Sequence, residues 1–185
     1  MNNYSIALFL HVVGALGFFV ALGLEWTSLR HLRRAMTTDQ VREWLRVPAE
    51  MGRVGMISML TLLAAGFYMM AIAWGAVAWI MVTLGAIVVM ILAMVLTRRR
   101  MMAIGRTVST ERGPLSPALS QLLHDLMLTI SIQTRVAIAL GIVFLMTVKP
   151  GLGGSLLTIA VAIVLGLASS LPMPRRAQVQ EGRGD

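Results

Sequence analysis

His11, Glu25, Arg53, Arg135 and Lys149 are the residues here whose types invite chemistry, because each stands within or beside a long apolar run. An imidazole can ligate haem iron or copper, or relay a proton. A guanidinium forks onto both oxygens of a carboxylate. Arg135 therefore suits an internal ion pair with Glu25 or an anion site, with Arg53 as a third member. His11 and Glu25 are fourteen residues apart, within about 40° of each other on a helix, so both face inward from one side. Arg135 shares a helix face with His124, Leu128, Ile142 and Lys149, at spacings near whole turns. Counted along helices, Arg135 lies about 21 Å below Lys149 and Glu25 about 30 Å below Ser5, depths at which the two can meet. A structural brace and a functional anion or gating site both stay open for this group. His11 has three readings: a hydrogen bond to neighbouring backbone, a ligand to haem b with Lys149 as second ligand, or a copper ligand with the thioethers of Met69, Met70 and Met81. The fifteen methionines also serve as ordinary packing residues.

These residues need helices to position them, and the composition supplies membrane helices. Of 185 residues, 57% are hydrophobic and 13% charged, too little polar surface for a soluble domain of this size. The expected fold is an all-α polytopic transmembrane bundle of about five spans, each needing about 20 residues. Residues 1–172 form one membrane domain, and 173–185 a disordered cytoplasmic tail. Span one runs from Tyr4 to Trp26, with aromatic rings at both interfaces. Its Gly17 and Ala21 form a small-xxx-small pair that permits close helix contact. A basic loop, Thr27–Arg53, follows, with a short interfacial helix at Val41–Leu45 capped from Thr38-Asp39-Gln40. Span two is Val54–Ala73. WGAVAW, Trp74–Trp79, turns at the opposite interface, and span three is Ala78–Thr97. Arg98-Arg99-Arg100 stops it, and Thr107–Pro117 is a Gly-Pro and Ser-Pro connector. A fourth helix starts at Ser116-Pro117 and runs unbroken through a membrane part, Met127–Val148. This helix is central, because an Arg facing lipid is costly. Pro150-Gly151 turns the chain into a fifth span, Ser155–Leu171.

Charge sets the orientation. Fourteen of sixteen basic residues fall on one side: six in the first loop, five in the second and three in the tail, which includes Arg175 and Arg176. The positive-inside rule puts that side in the cytoplasm and the N-terminus outside, in a bacterial inner membrane. The N-terminal run has no basic residues before it, so it reads as an uncleaved span. The net charge of +8 is explained by topology and by anionic lipids beside the basic loops, which argues against nucleic acid as a partner. The lipid bilayer is the expected partner, and a homo-oligomer stays open. Absence of cysteine excludes disulfides, thiolate metal sites and thiol chemistry. The chain has no phosphate loop, metalloprotease helix or Ser/His/Asp array.

LHVVGALGFF in span one, LTLLAAG at Leu60–Gly66, Trp79 opening span three, and an Arg-bearing span four ending in MTVKP resemble a group of small bacterial membrane proteins. The group takes in the copper-resistance D (CopD) type, HemJ-type protoporphyrinogen oxidases and uncharacterised integral membrane proteins. The resemblance covers Leu10–Pro150. It implies a helical inner-membrane protein and, through the HemJ-like branch, a haem-ligand role for His11. That branch also carries a Lys in span three, where this chain reads WIMVTLG. The chain thus looks more like the uncharacterised branch.

Overall fold

A computed structural model of the chain describes residues 3–170. The expected tail at 173–185, with Arg175 and Arg176, and the end of span five at Leu171 lie outside the described residues. Helices account for nearly all the rest: α1 Asn3–Leu32, α2 Thr38–Met69, a π-turn at Met70–Trp74, α3 Ala78–Thr110, α4 Pro117–Leu123, α5 Leu126–Val148 and α6 Leu152–Ala168. Four helical stretches are long and apolar enough to cross a membrane, with α4 and α5 counted together, and α6 adds a shorter apolar helix of 17 residues. The all-α membrane bundle is thus the observed architecture. Its outer faces carry the large apolar side chains that lipid requires, such as Phe9, Leu16, Ile57, Leu96 and Val164.

Helix α5 is the central helix. Half of its most apolar stretch is buried, against 17% for α1 and for α2, and it touches α1, α3 and α6. The slim face of α1 meets α2. A Cβ at Gly14 would lie 2.9 Å from the Leu62 amide nitrogen and the Ser58 carbonyl oxygen, so the two backbones approach as only glycine permits. Gly17 faces Ser58, and Ala21 faces Gly55, as the small-residue pair predicts.

The basic end departs from expectation. Thr27–Arg53 is not a loop with a short helix at Val41–Leu45. Helix α1 continues to Leu32, and α2 begins at Thr38 and runs on through Pro48. Only five residues, 33–37, connect them. Pro48 has no N–H to give the Trp44 carbonyl one turn back. Ser28 Oγ donates to that carbonyl instead, at 2.8 Å. Trp44 also stacks on His31 at 3.9 Å. The N-cap is Thr37, whose hydroxyl accepts from Gln40 N. Helix α3 likewise runs past the expected stop, so Arg98-Arg99-Arg100 lie within it. At about 45–50 Å, α1 and α3 exceed the roughly 30 Å hydrocarbon core. Their extensions pack with α4 around Leu32, Val41, Ile104, Leu119 and Leu123, all nearly inaccessible. Each such side chain removed from water contributes about 1.5–3 kcal/mol. Hydrophobic burial outside the bilayer is what converts the expected loop into helix.

The fourth helix is broken where continuity was expected. Ser116 caps α4 with Pro117 in its first turn, as the sequence predicts. The helix then ends at Leu123, and Asp125 caps α5 by accepting from Met127 N at 2.9 Å. Arg33 Nε and Nη2 donate to the carbonyls of Leu123 and Asp125 at 3.2 and 2.9 Å. Arg100 pairs with the Asp125 carboxylate. Burial lowers the Arg33 guanidinium below its ordinary value, with Asp125 opposing the shift, and it stays charged at neutral pH. Arg42 donates to the Val108 carbonyl at 2.8 Å and pairs with Asp39. Arg33, Arg42 and Arg100 therefore have structural contacts at this end.

A matched pair of substitutions tests the α1–α2 contact. Gly14→Ala should cost about 1–3 kcal/mol, because its methyl meets rigid backbone. Gly23→Ala on the same helix, with nothing within 4 Å, should be neutral or stabilising. Thermal unfolding in mild detergent separates the two; equal midpoints would contradict the close approach.

Candidate functional site

The expected polar centre resolves into two places. The first is an ion pair. Arg135 Nη2 on α5 donates to Glu25 Oε1 on α1 at 2.6 Å, and Arg135 Nε donates to the Ser131 carbonyl at 3.4 Å. The Arg135 side chain is 3% exposed and that of Glu25 23%. Helix α5 can bury this charge because it is ringed by other helices, and α1 supplies the one carboxylate at matching depth. Arg53 does not join them. It is exposed on α2 and forms no ion pair among the described residues. One turn away, Ser131 Oγ and Thr97 Oγ1 are hydrogen-bonded at 2.6 Å, and each lies 3.0 Å from the Ala93 carbonyl oxygen, so one hydroxyl donates to the other and the second donates to the carbonyl. This α3–α5 link was missed in the sequence, where two isolated hydroxyls carry no spacing signal.

The second place lies at the opposite end of the bundle. His11 is fourteen residues from Glu25, about 21 Å along α1. Its Nδ1 is 2.9 Å from the Leu62 carbonyl oxygen on α2. A carbonyl only accepts, so Nδ1 carries the proton, and in the neutral ring Nε2 keeps its lone pair. Gly66 makes room for the ring: a Cβ there would stand 3.2 Å from His11 Cε1. Beside the imidazole is a cavity of about 210 Å³ between α1, α2, α3 and the end of α5. The π-turn closes one side and brings Met70 and Trp74 to the lining. Trp74 Nε1 donates to Tyr4 Oη at 3.3 Å, and Trp79 meets Trp74 edge-on. Lys149 caps α5 in the left-handed conformation, at φ 51°, and holds its ammonium 4.0 Å over the Trp74 ring.

The cavity brings together His11, Lys149, Met69 and Met70. Met81 stays outside it, exposed on α3, so the copper set is incomplete. The cavity adds a residue the sequence reading passed over. Thr83 is 4% exposed, and its hydroxyl has no partner among the described residues. The available signal was its isolation, as the only hydroxyl between Trp79 and Leu96. The residues do not fit a haem b inside this cavity. His11 Nε2 has the donor chemistry and the backbone-held Nδ1–H of a ligating histidine. But the volume is below the roughly 300 Å³ at which pockets for drug-sized ligands begin, and the Lys149 nitrogen is engaged with Trp74.

Comparison with protein-family models, curated proteins and solved structures finds no match to this chain.

Removing one partner of the ion pair has an asymmetric outcome. Arg135→Ala leaves Glu25 facing a water-poor interior and should destabilise by about 3 kcal/mol or more. Adding Glu25→Gln should restore part of the loss, and folding yield with the detergent melting temperature reads both. An Arg135→Ala protein that accumulates and melts like wild type would rule out the brace.

Proposed function

We infer that this chain is an integral membrane protein that binds a small, largely apolar ligand in the His11 cavity. The observation that carries the reading is an apolar cavity of about 210 Å³ bordered by the His11 ring, with few polar residues in its lining, Thr83 and Lys149 among them. A mostly apolar pocket with a few convergent polar atoms is the usual form of a small-molecule site. The Arg135–Glu25 pair serves as the brace that holds α1 against α5, at the far end of the same helix that carries His11. The one-sided distribution of Arg supports a cytoplasmic basic end in a bacterial inner membrane, with anionic lipid as the partner of the exposed arginines. The partial likeness to the CopD- and HemJ-like group agrees with a working His in the first span.

Native mass spectrometry of protein taken directly from its membranes tests the reading. Wild type should carry a bound small molecule. Thr83→Phe, which fills the cavity, should reduce its occupancy several-fold, while Met81→Phe on the exposed face should not. Ligand-free wild type, or an adduct indifferent to Thr83→Phe, would count against it.

A further inference from the structure

We propose that the His11 cavity holds a medium-chain fatty acid as its anion, with the carboxylate on the Lys149 ammonium and the acyl chain in the apolar length of the cavity. This rests on the small-molecule reading above and names its ligand class.

The argument starts from how polarity is distributed along the cavity. One end is lined by Tyr4, Trp74, Trp79 and Lys149, which touch one another through Trp74. Such residues suit a bilayer interface. From there the lining runs along α1 to His11 and along α3 to Ile87, about 10–12 Å by helical rise. His11 and Thr83 are the polar residues of that length, and leucine, isoleucine and methionine supply most of the rest. The Thr83 hydroxyl oxygen is sealed among its neighbours, so it offers a ligand no bond. A molecule with one polar end and a plain hydrocarbon body matches this gradient.

Charge selects the polar end. Lys149 forms no ion pair among the described residues. No Asp or Glu occurs in residues 1–24, 51–110 or 126–180, stretches that contain the whole lining. The cavity therefore carries a cation and no fixed anion. Trp74 covers one side of the ammonium at 4.0 Å. An ammonium has three N–H donors, so its other side can meet a carboxylate. Helix α3 begins at the same end, with no side-chain cap from Val77 and with Trp79 and Ile80 in the lining. The positive end of its dipole adds to the field of Lys149.

The backbone at Lys149 points the same way. It is the one non-glycine residue with a positive φ among those described, at φ 51° and ψ 52°. Glycine is the usual residue where a helix ends in this conformation, because a Cβ crowds the following carbonyl. Lysine at this place keeps an ammonium at the mouth of the cavity in spite of that strain.

Size sets the chain. On the scale at which about 150 Å³ accommodates benzene, about 210 Å³ accommodates a chain of roughly eight carbons. Leu8 and Phe67 line the cavity and are also exposed, at 44% and 48%. The cavity therefore reaches the lipid-facing surface, from which such a chain enters.

The test is equilibrium binding of decanoate and decanol to the full chain in phosphatidylcholine nanodiscs, at mildly alkaline pH, where the carboxylate is ionised. Tryptophan fluorescence reads it against protein-free discs, at equal mole fractions of ligand in the lipid. Saturable binding is expected, about tenfold tighter for decanoate. Lys149→Gln should weaken decanoate about tenfold and leave decanol unchanged. Linear partitioning without saturation, decanol binding as tightly as decanoate, or Lys149→Gln binding decanoate like wild type would each overturn the proposal. The wild-type preference is decisive even if the variant folds poorly. A native adduct with the mass of a phospholipid would also overturn it, because the head group is then a phosphate. If neither probe binds but a small-molecule adduct persists in native mass spectra, the ligand class is wrong and the small-molecule reading stands. If the adduct is also absent, both fall.

Discussion

A bilayer offers no water to a polar group, so every donor, acceptor and charge inside it has to find a protein partner. This constraint organises the molecule. It brings Arg135 of α5 to Glu25 of α1, and it turns Ser131 and Thr97 onto one carbonyl of α3. It also fixes the His11 ring, because the Leu62 carbonyl is the partner that α2 offers at that depth. Packing follows from these bonds. Gly14 lets α1 approach α2 beside Leu62, and Gly66 admits the imidazole. Beside that ring an apolar cavity of about 210 Å³ is left between the helices.

The two ends of the bundle solve different problems. At the basic end apolar burial among α1, α2, α3 and α4 builds a small core of its own. Arginines there finish helices: Arg33 at the α4–α5 break and Arg42 at the end of α3. At the aromatic end the helices are not extended. A π-turn, two tryptophans and the left-handed Lys149 close the connections tightly around a cavity. Helix α5 spans both regimes, with its cap on Asp125, its ion pair at Arg135 and its terminus over Trp74.

The spans and the central place of the Arg-bearing helix were legible because apolar length and charge placement are strong one-dimensional signals. The Glu25–Arg135 pair was legible too, from depth counted along two helices. The helical lobe was not. Arg30, Arg33, Arg34 and Pro48 read locally as loop, and only tertiary burial of Leu29, Leu32 and Val41 overrides them. The helix break at Asp125 was hidden because its cap depends on Arg33 and Arg100, distant in sequence. Grouping His11 and Arg53 with Glu25 and Arg135 relied on helix face and missed separation: His11 lies about 21 Å away along α1, and Arg53 points out of the bundle. Thr83 was overlooked because an unpaired hydroxyl is visible only once its neighbours are placed.

The central claim is that His11 ties α1 to α2 by holding its proton on Nδ1 against the Leu62 carbonyl. The chain has three histidines, so replacing His31 and His124 with Gln leaves one imidazole to observe. Nitrogen-15 NMR of that histidine-labelled protein in lipid, at neutral pH, reads the tautomer directly. The account predicts a protonated, pyrrole-type Nδ1 and an unprotonated, pyridine-type Nε2. A proton on Nε2, with Nδ1 bare, would contradict it, because the bond to Leu62 would be absent.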